Sequence, residues 1–167
     1  LFNPLNSNKL IGLDKYFEEL INLYNSNQFP KVLLLSGNKG IGKFTLIIHL
    51  LNYIFSKKTY NLKEKSFDLK STFHNKLSNN ISENIIFLKT KVKENIKIEN
   101  IRSLKSTISK SVANENPRFI ILDDVEKYNV NSSNALLKIL EEPSKNNFFI
   151  LIDNKENKII ETISSRS

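Results

Sequence analysis

Cysteine is absent from this chain. Its absence excludes disulfides and any zinc site built on thiolates, and it suits a reducing compartment. Long apolar runs are absent too. The longest is far shorter than a membrane span, and no secretory leader is visible, so the expectation is a cytoplasmic protein with no membrane partner. Histidine is limited to His49 and His74. No Ser-His-Asp arrangement and no metal-ligand cluster can be assembled around them. His49 reads as a core or flanking residue, and His74 falls in a polar stretch. Glycine is scarce, with four residues, and three of them fall together at 37, 40 and 42.

The 167 residues are enough for one domain with a substantial core, and the apolar and charged fractions are ordinary for a globular protein. The net charge of +8 is unevenly placed. Between Lys57 and Lys110, thirteen Lys and Arg face five Asp and Glu; the rest of the chain is balanced. A local positive field favours a polyanion. The whole chain is also rich in Lys, Asn and Ile, so biased coding explains the excess better than direct DNA contact by this stretch does. The chain opens at Leu1 without Met and stops just past a helical pattern. The expectation is the first domain of a longer protein.

The three clustered glycines lie in Gly37-Asn-Lys-Gly-Ile-Gly-Lys-Phe-Thr45. Before them, Lys31 to Ser36 has the continuous apolar character of a buried parallel strand. After them, Thr45 to Phe55 is apolar at helical spacing. Strand, glycine loop and helix form the context of a phosphate-binding loop. Gly37, Gly40 and Gly42 let the backbone turn tightly, so that its N–H groups point at one centre. The helix N-terminus and Lys43 add positive charge. A nucleoside di- or triphosphate, ADP or ATP, suits that environment, with Thr45 also within it. One residue departs from the pattern. The usual loop carries Ser or Thr directly after the lysine, to hold Mg²⁺. Phe44 has no oxygen to offer. The loop therefore looks built to hold a nucleotide and poorly built to hydrolyse it.

Elsewhere the chain alternates. Asp14 to Tyr24 is an amphipathic helix. Residues 57–83 are polar and weakly periodic, a variable insertion in which Phe67, Leu69, Phe73 and Leu77 suggest a short helix. Asn84 to Lys89 is a strand, and Ile98 to Val112 a helix lying on a sheet. Arg118 to Leu122 is a strand ending in Asp123-Asp124. Asn134 to Glu142 is a helix halted by Pro143. Phe148 to Ile152 is a strand ending in Asp153-Asn154, and Glu156 to Ser164 is a last helical pattern. Such alternation predicts an α/β fold, a parallel sheet with helices on both faces. Ligands on such sheets sit at the strands' carboxyl ends, where the glycine loop, the acid pair and Asn154 all fall. In phosphate-loop proteins the first acid orders the Mg²⁺ hydration shell, and the second is often Glu and orients the attacking water. Asp124 is one methylene shorter, and a carboxylate misplaced by roughly an ångström slows a reaction about a hundredfold. Asn154 is a candidate to bond a terminal phosphate or a water; as a turn residue beside Asp153 it reads equally well.

Arg118-Phe-Ile-Ile-Leu-Asp-Asp-Val-Glu-Lys-Tyr-Asn129, Asn134-Ala-Leu-Leu-Lys-Ile-Leu-Glu-Glu-Pro143, Phe148 to Ile152 and Ile163-Ser-Ser-Arg-Ser167, with Leu10-Ile-Gly-Leu13 and Gln28-Phe-Pro30, together resemble the AAA+ module of bacterial DNA polymerase III clamp loaders. The resemblance covers nearly the whole chain, 57–83 excepted. It implies an AAA+ P-loop NTPase core over 1–167, with lid and collar domains following. Phe44 and Asp124 make the chain most similar to the delta-prime branch, which acts as a stator without intrinsic ATPase activity. By resemblance, Arg166 is an arginine finger for the ATP site of a neighbouring subunit. Implied partners are the motor subunits and the delta subunit, with the sliding clamp and primed DNA reached through the assembly in DNA replication. A four-cysteine zinc module frequent in the family has no counterpart here, and Phe44 disfavours Mg²⁺. Two other readings stay open: an active motor ATPase of the gamma/tau kind, and an AAA+ switch outside replication.

Overall fold

A computed structural model describes residues 3–88, 96–109, 116–143 and 146–155. In chain order these form α1 (Asp14–Asn25), β1 (Val32–Ser36), α2 (Lys43–Phe55), β2 (Tyr60–Asn61), β3 (Ser66–Phe67), α3 (Thr72–Ser78), β4 (Ile85–Leu88), α4 (Ile98–Ile108), β5 (Arg118–Leu122), α5 (Val130–Glu141) and β6 (Asn147–Asp153). Two compact units result. One comprises Leu1–Pro30 with Gly40–Ser82; the other comprises Lys31–Lys39 with Glu83–Ser167.

The second unit is built on a four-stranded parallel sheet of order β1-β6-β5-β4. Its strands are the continuous apolar runs of the sequence, as expected where both faces are buried. Phe119, Ile120, Ile121 and Leu122 along β5 are all inaccessible, as are Phe149, Ile150 and Leu151 on β6. One face carries α4 and α5: Ile101 and Leu104 with Leu136 and Leu140 cluster on Ile120, Leu122, Phe149 and Leu151. Alternate residues of each strand share that face, as the period of two requires. Polar pins also hold the layer. Ser132 Oγ donates to the Ile96 carbonyl at 2.7 Å. The buried Arg118 guanidinium donates to the Ile108 carbonyl at 3.2 Å, satisfying a carbonyl at the end of α4.

In the first unit, every residue of α2 from Lys43 to Tyr53 is buried. Phe17 of α1 reaches it edge-on, 6.3 Å from the Tyr53 ring and 6.4 Å from His49. His49 is fully buried, in agreement with its reading as a core residue. Its Nε2 lies 2.9 Å from the Ser7 carbonyl and its Nδ1 2.9 Å from the Tyr60 hydroxyl. A carbonyl can only accept, so the proton sits on Nε2 and Tyr60 donates to Nδ1. The segment before α1 is tied to the hairpin β2–β3 by Leu10 N–H to Lys65 O at 2.9 Å and Phe67 N–H to Asn8 O at 3.0 Å. Lys65 bridges Asp14 at 2.7 Å and Glu18 at 3.0 Å, and its hydrogen bond holds the Asp14 carboxyl below its usual range.

Several elements differ from their sequence expectation. α5 starts at Val130, four residues before Asn134, because Asn129 caps it: its Oδ1 accepts from Ser132 N–H at 2.8 Å. α2 starts at Lys43 rather than Thr45. Within 57–83, Phe67 lies in β3, while Phe73 and Leu77 lie in α3. Val112 and the helical pattern 156–164 lie outside the described residues.

Candidate functional site

β5 and β6 run side by side with Leu122 level with Leu151, so the residues that follow them share one rim. Asp123 keeps to the sheet: its N–H donates to the Leu88 carbonyl at 3.0 Å. The chain then turns at Asp124, whose φ of 53° is left-handed, a conformation that Asp tolerates better than most residues. A 3₁₀ turn over Val125–Lys127 follows. Three residues per turn bring position 127 back over position 124. Accordingly Lys127 Nζ lies 3.2 Å from Asp124 Oδ1.

Asn154 enters from β6. Its Nδ2 donates to Asp124 Oδ1 at 2.8 Å and, over a longer 3.5 Å, to Asp123 Oδ1. Two carboxylates on one side fix the amide orientation, because the reverse would oppose oxygen to oxygen. Its main-chain N–H donates to Glu126 Oε2 at 3.1 Å. Glu126 is buried, and burial raises its carboxyl above the ordinary value; Asp124 and Asp153 nearby act in the same direction. Burial likewise raises the Tyr128 hydroxyl, whose oxygen has no hydrogen-bond partner among the described residues.

Asp153 is buried beside β1. Ser36 Oγ donates to its Oδ2 at 2.6 Å and Lys155 N–H to its Oδ1 at 2.9 Å. Gly37 N–H donates to the Asp153 carbonyl at 3.2 Å, extending the β1–β6 ladder by one bond. Of the predicted site residues, the sheet unit thus brings together Asp123, Asp124 and Asn154, with Gly37 joined through Asp153.

The remaining loop residues belong to the other unit. Gly40 and Gly42 have φ of 86° and 94°, which L side chains rarely adopt. At Gly42 a Cβ would also lie 3.0 Å from Leu13 Cδ1. Gly42 is the N-cap of α2, so Lys43, Phe44 and Thr45 make its first turn, all buried. Arg166 lies outside the described residues.

Sequence reasoning missed Ser36, Glu126, Lys127 and Asp153 as parts of the rim. Lys127 was findable from its spacing to Asp124; Ser36 and Asp153 meet only through the sheet.

Mg²⁺, which an active phosphate-loop enzyme needs, does not fit these residues. In the sheet unit the acid pair is already engaged by an amide and an ammonium; in the other unit, the position after Lys43 offers a benzyl group and no oxygen. Among the described residues, no group of three or more His, Cys, Asp or Glu is arranged to hold a metal.

Residues 12–167 match the family described as DNA polymerase III, delta subunit. The chain belongs to that family. It is 33% identical over 159 residues to DNA polymerase III subunit delta' of Buchnera aphidicola subsp. Schizaphis graminum, covering 92% of this chain and 46% of that protein. It is 28% identical over 168 residues to DNA polymerase III subunit gamma of the same organism, covering 99% of this chain and 44% of the relative. The chain therefore spans less than half the length of these relatives. Its fold is similar to that of a DNA polymerase III gamma subunit-related protein from Thermotoga maritima, with a TM-score of 0.51 and 19% identity over 98% of this chain and 44% of that one. The expected α/β class with a parallel sheet holds, as does the delta-prime-like resemblance. Among the described residues no helix is long and apolar enough to cross a membrane.

Proposed function

We propose that this chain is the AAA+ core of a clamp-loader stator of the delta-prime kind, acting in DNA replication. Residues 1–167 form that core, with 57–83 as its variable insertion. Its partners are the motor subunits and the delta subunit, with the sliding clamp and primed DNA engaged through the assembly, in the cytoplasm. Gly37, Gly40, Gly42, Lys43 and Thr45 hold the phosphates of ADP or ATP, with Asp123, Asp124 and Asn154 at the rim. Arg166 reaches the nucleotide of a neighbouring subunit, where a guanidinium's permanent charge and planar fork suit phosphate oxygens.

One observation carries the stator reading: Phe44, directly after Lys43, is buried in the first turn of α2, where an active enzyme places a hydroxyl on Mg²⁺. Asp124 supports it, since its Oδ1 already accepts from Asn154 and Lys127. The similarity to the gamma subunit favours a motor of the same fold, but gamma-type motors are expected to keep the hydroxyl that Phe44 replaces.

Phosphate release by the chain alone tests the reading. The expected rate is negligible; turnover near about 10 s⁻¹ overturns it. Titration with labelled ADP tests nucleotide binding separately, and no binding makes the loop a relic. Arg166→Ala leaves the fold intact and slows hydrolysis by the reconstituted ring by orders of magnitude. An unchanged ring rate removes the finger.

A further inference from the structure

The carboxylates at the sheet's rim are supplied with partners by the chain itself. Asp153 takes the Ser36 hydroxyl and Lys155 N–H. Asp123 Oδ1 takes Asp124 N–H at 3.0 Å and the Asn154 amide at 3.5 Å. Asp124 Oδ1 takes that amide at 2.8 Å and the Lys127 ammonium at 3.2 Å. The arrangement is braced from behind. Glu126 accepts the Asn154 main-chain N–H, which fixes the origin of the amide side chain, and Lys127 N–H donates to the Asp124 carbonyl at 2.9 Å, which closes the 3₁₀ turn carrying the ammonium. The Asp124 and Lys127 side chains are only 17% and 25% exposed, so water screens the pair weakly.

A divalent ion on Asp124 Oδ1 would compete for that oxygen with Lys127 and Asn154. Mg²⁺ demands near-ideal octahedral oxygens and gives up its waters reluctantly. To bind here it would approach a fixed ammonium of like charge and displace a donor amide. We infer that Lys127, with the Asn154 amide, is the built-in counter-charge of the Asp123–Asp124 pair and keeps divalent cations off it. The inference deepens the stator reading, on which it rests for the choice of Mg²⁺ as the excluded ion. Lys127 brings to Asp124 the positive charge that an ion would otherwise supply. Lys127 and Glu126 are thus positioning residues of a rim closed to metal.

The test uses the whole chain without nucleotide and reads Mn²⁺, a spectroscopic substitute for Mg²⁺, by electron paramagnetic resonance. The unsubstituted chain is expected to take up no Mn²⁺ at the rim. Lys127→Met gains saturable Mn²⁺ binding, at least about tenfold tighter than any uptake by the unsubstituted chain, and adding Asp124→Asn abolishes the gain. A folded Lys127→Met chain with unchanged affinity, or a gain that survives Asp124→Asn, overturns the inference. Should Lys127→Met not fold, the unsubstituted chain decides: its Asn154 side-chain amide resonances stay in place on adding Mg²⁺, and a saturable shift overturns the inference. ATP turnover by the chain would defeat the stator reading without touching these ion measurements, so the two failures are told apart.

Discussion

The Tyr60 hydroxyl and His49 Nδ1 lie 2.9 Å apart inside the aromatic core of the first unit. The contact needs a neutral imidazole, because protonated Nδ1 can no longer accept. Burial lowers the His49 pKa from 6.5 to about 4, against a smaller raising effect from the Ser7 carbonyl. The unfolded chain therefore binds this proton more readily. Stability is complete above about pH 6.5, falls as pH drops, and levels out below pH 4. The full span is about 3 kcal/mol, with about 2 kcal/mol lost by pH 5. Burial lowers His74 as well, in the same direction. Urea unfolding at pH 7.5 and pH 5 should show a midpoint lower by about 1 M at the acid pH. A midpoint independent of pH refutes the buried neutral histidine.

Ser36→Ala removes the 2.6 Å bond to Asp153 and leaves that buried carboxylate with one donor fewer. The expected cost is about 1–2 kcal/mol, and Ser36→Thr should restore most of it. Equilibrium denaturation of both variants checks the pair.

Asn129→Ala should cost about 1 kcal/mol, because the Ser132 N–H at the start of α5 loses its cap. Asn129→Asp should cost little. Thermal melts of the two variants separate capping from a general effect of substitution at 129.

Phe44→Thr returns the missing hydroxyl but empties a buried site, at roughly 3 kcal/mol by analogy with large-to-small core changes. It should gain no ATP turnover, since Asp124 remains held by Asn154 and Lys127. Phosphate release well above the unsubstituted chain would show that position 44 alone silences the site.

Much of the sheet unit was legible because parallel strands buried on both faces write themselves as continuous apolar runs; β5 runs over the expected Arg118 to Leu122. The early start of α5 was hidden by the polar run Asn131-Ser132-Ser133, although Asn129 carried a readable cap signal. The hairpin β2–β3 escaped because its turn has no glycine; Lys65 takes the left-handed conformation there, with φ of 47°. At the rim, the acid pair and Asn154 were legible from their place after apolar runs. Their partners were not. Ser36 and Asp153 are 117 residues apart, and no local pattern links them.

That separation bears on how the chain is made. Val32 pairs with Phe149 and Ser36 with Asp153, so the first strand of the sheet unit has its partner in the last one among the described residues. At bacterial synthesis speeds, Val32-Leu33-Leu34-Leu35 leaves the ribosome on the order of ten seconds before β6 exists. Contacts so distant in sequence form slowly, and an unpaired apolar strand is sticky while it waits. Pulsed hydrogen exchange during refolding should find the β1 amides among the last to gain protection. The nascent protein thus carries its own hazard early, and chaperone binding to 32–35 would shorten the exposure.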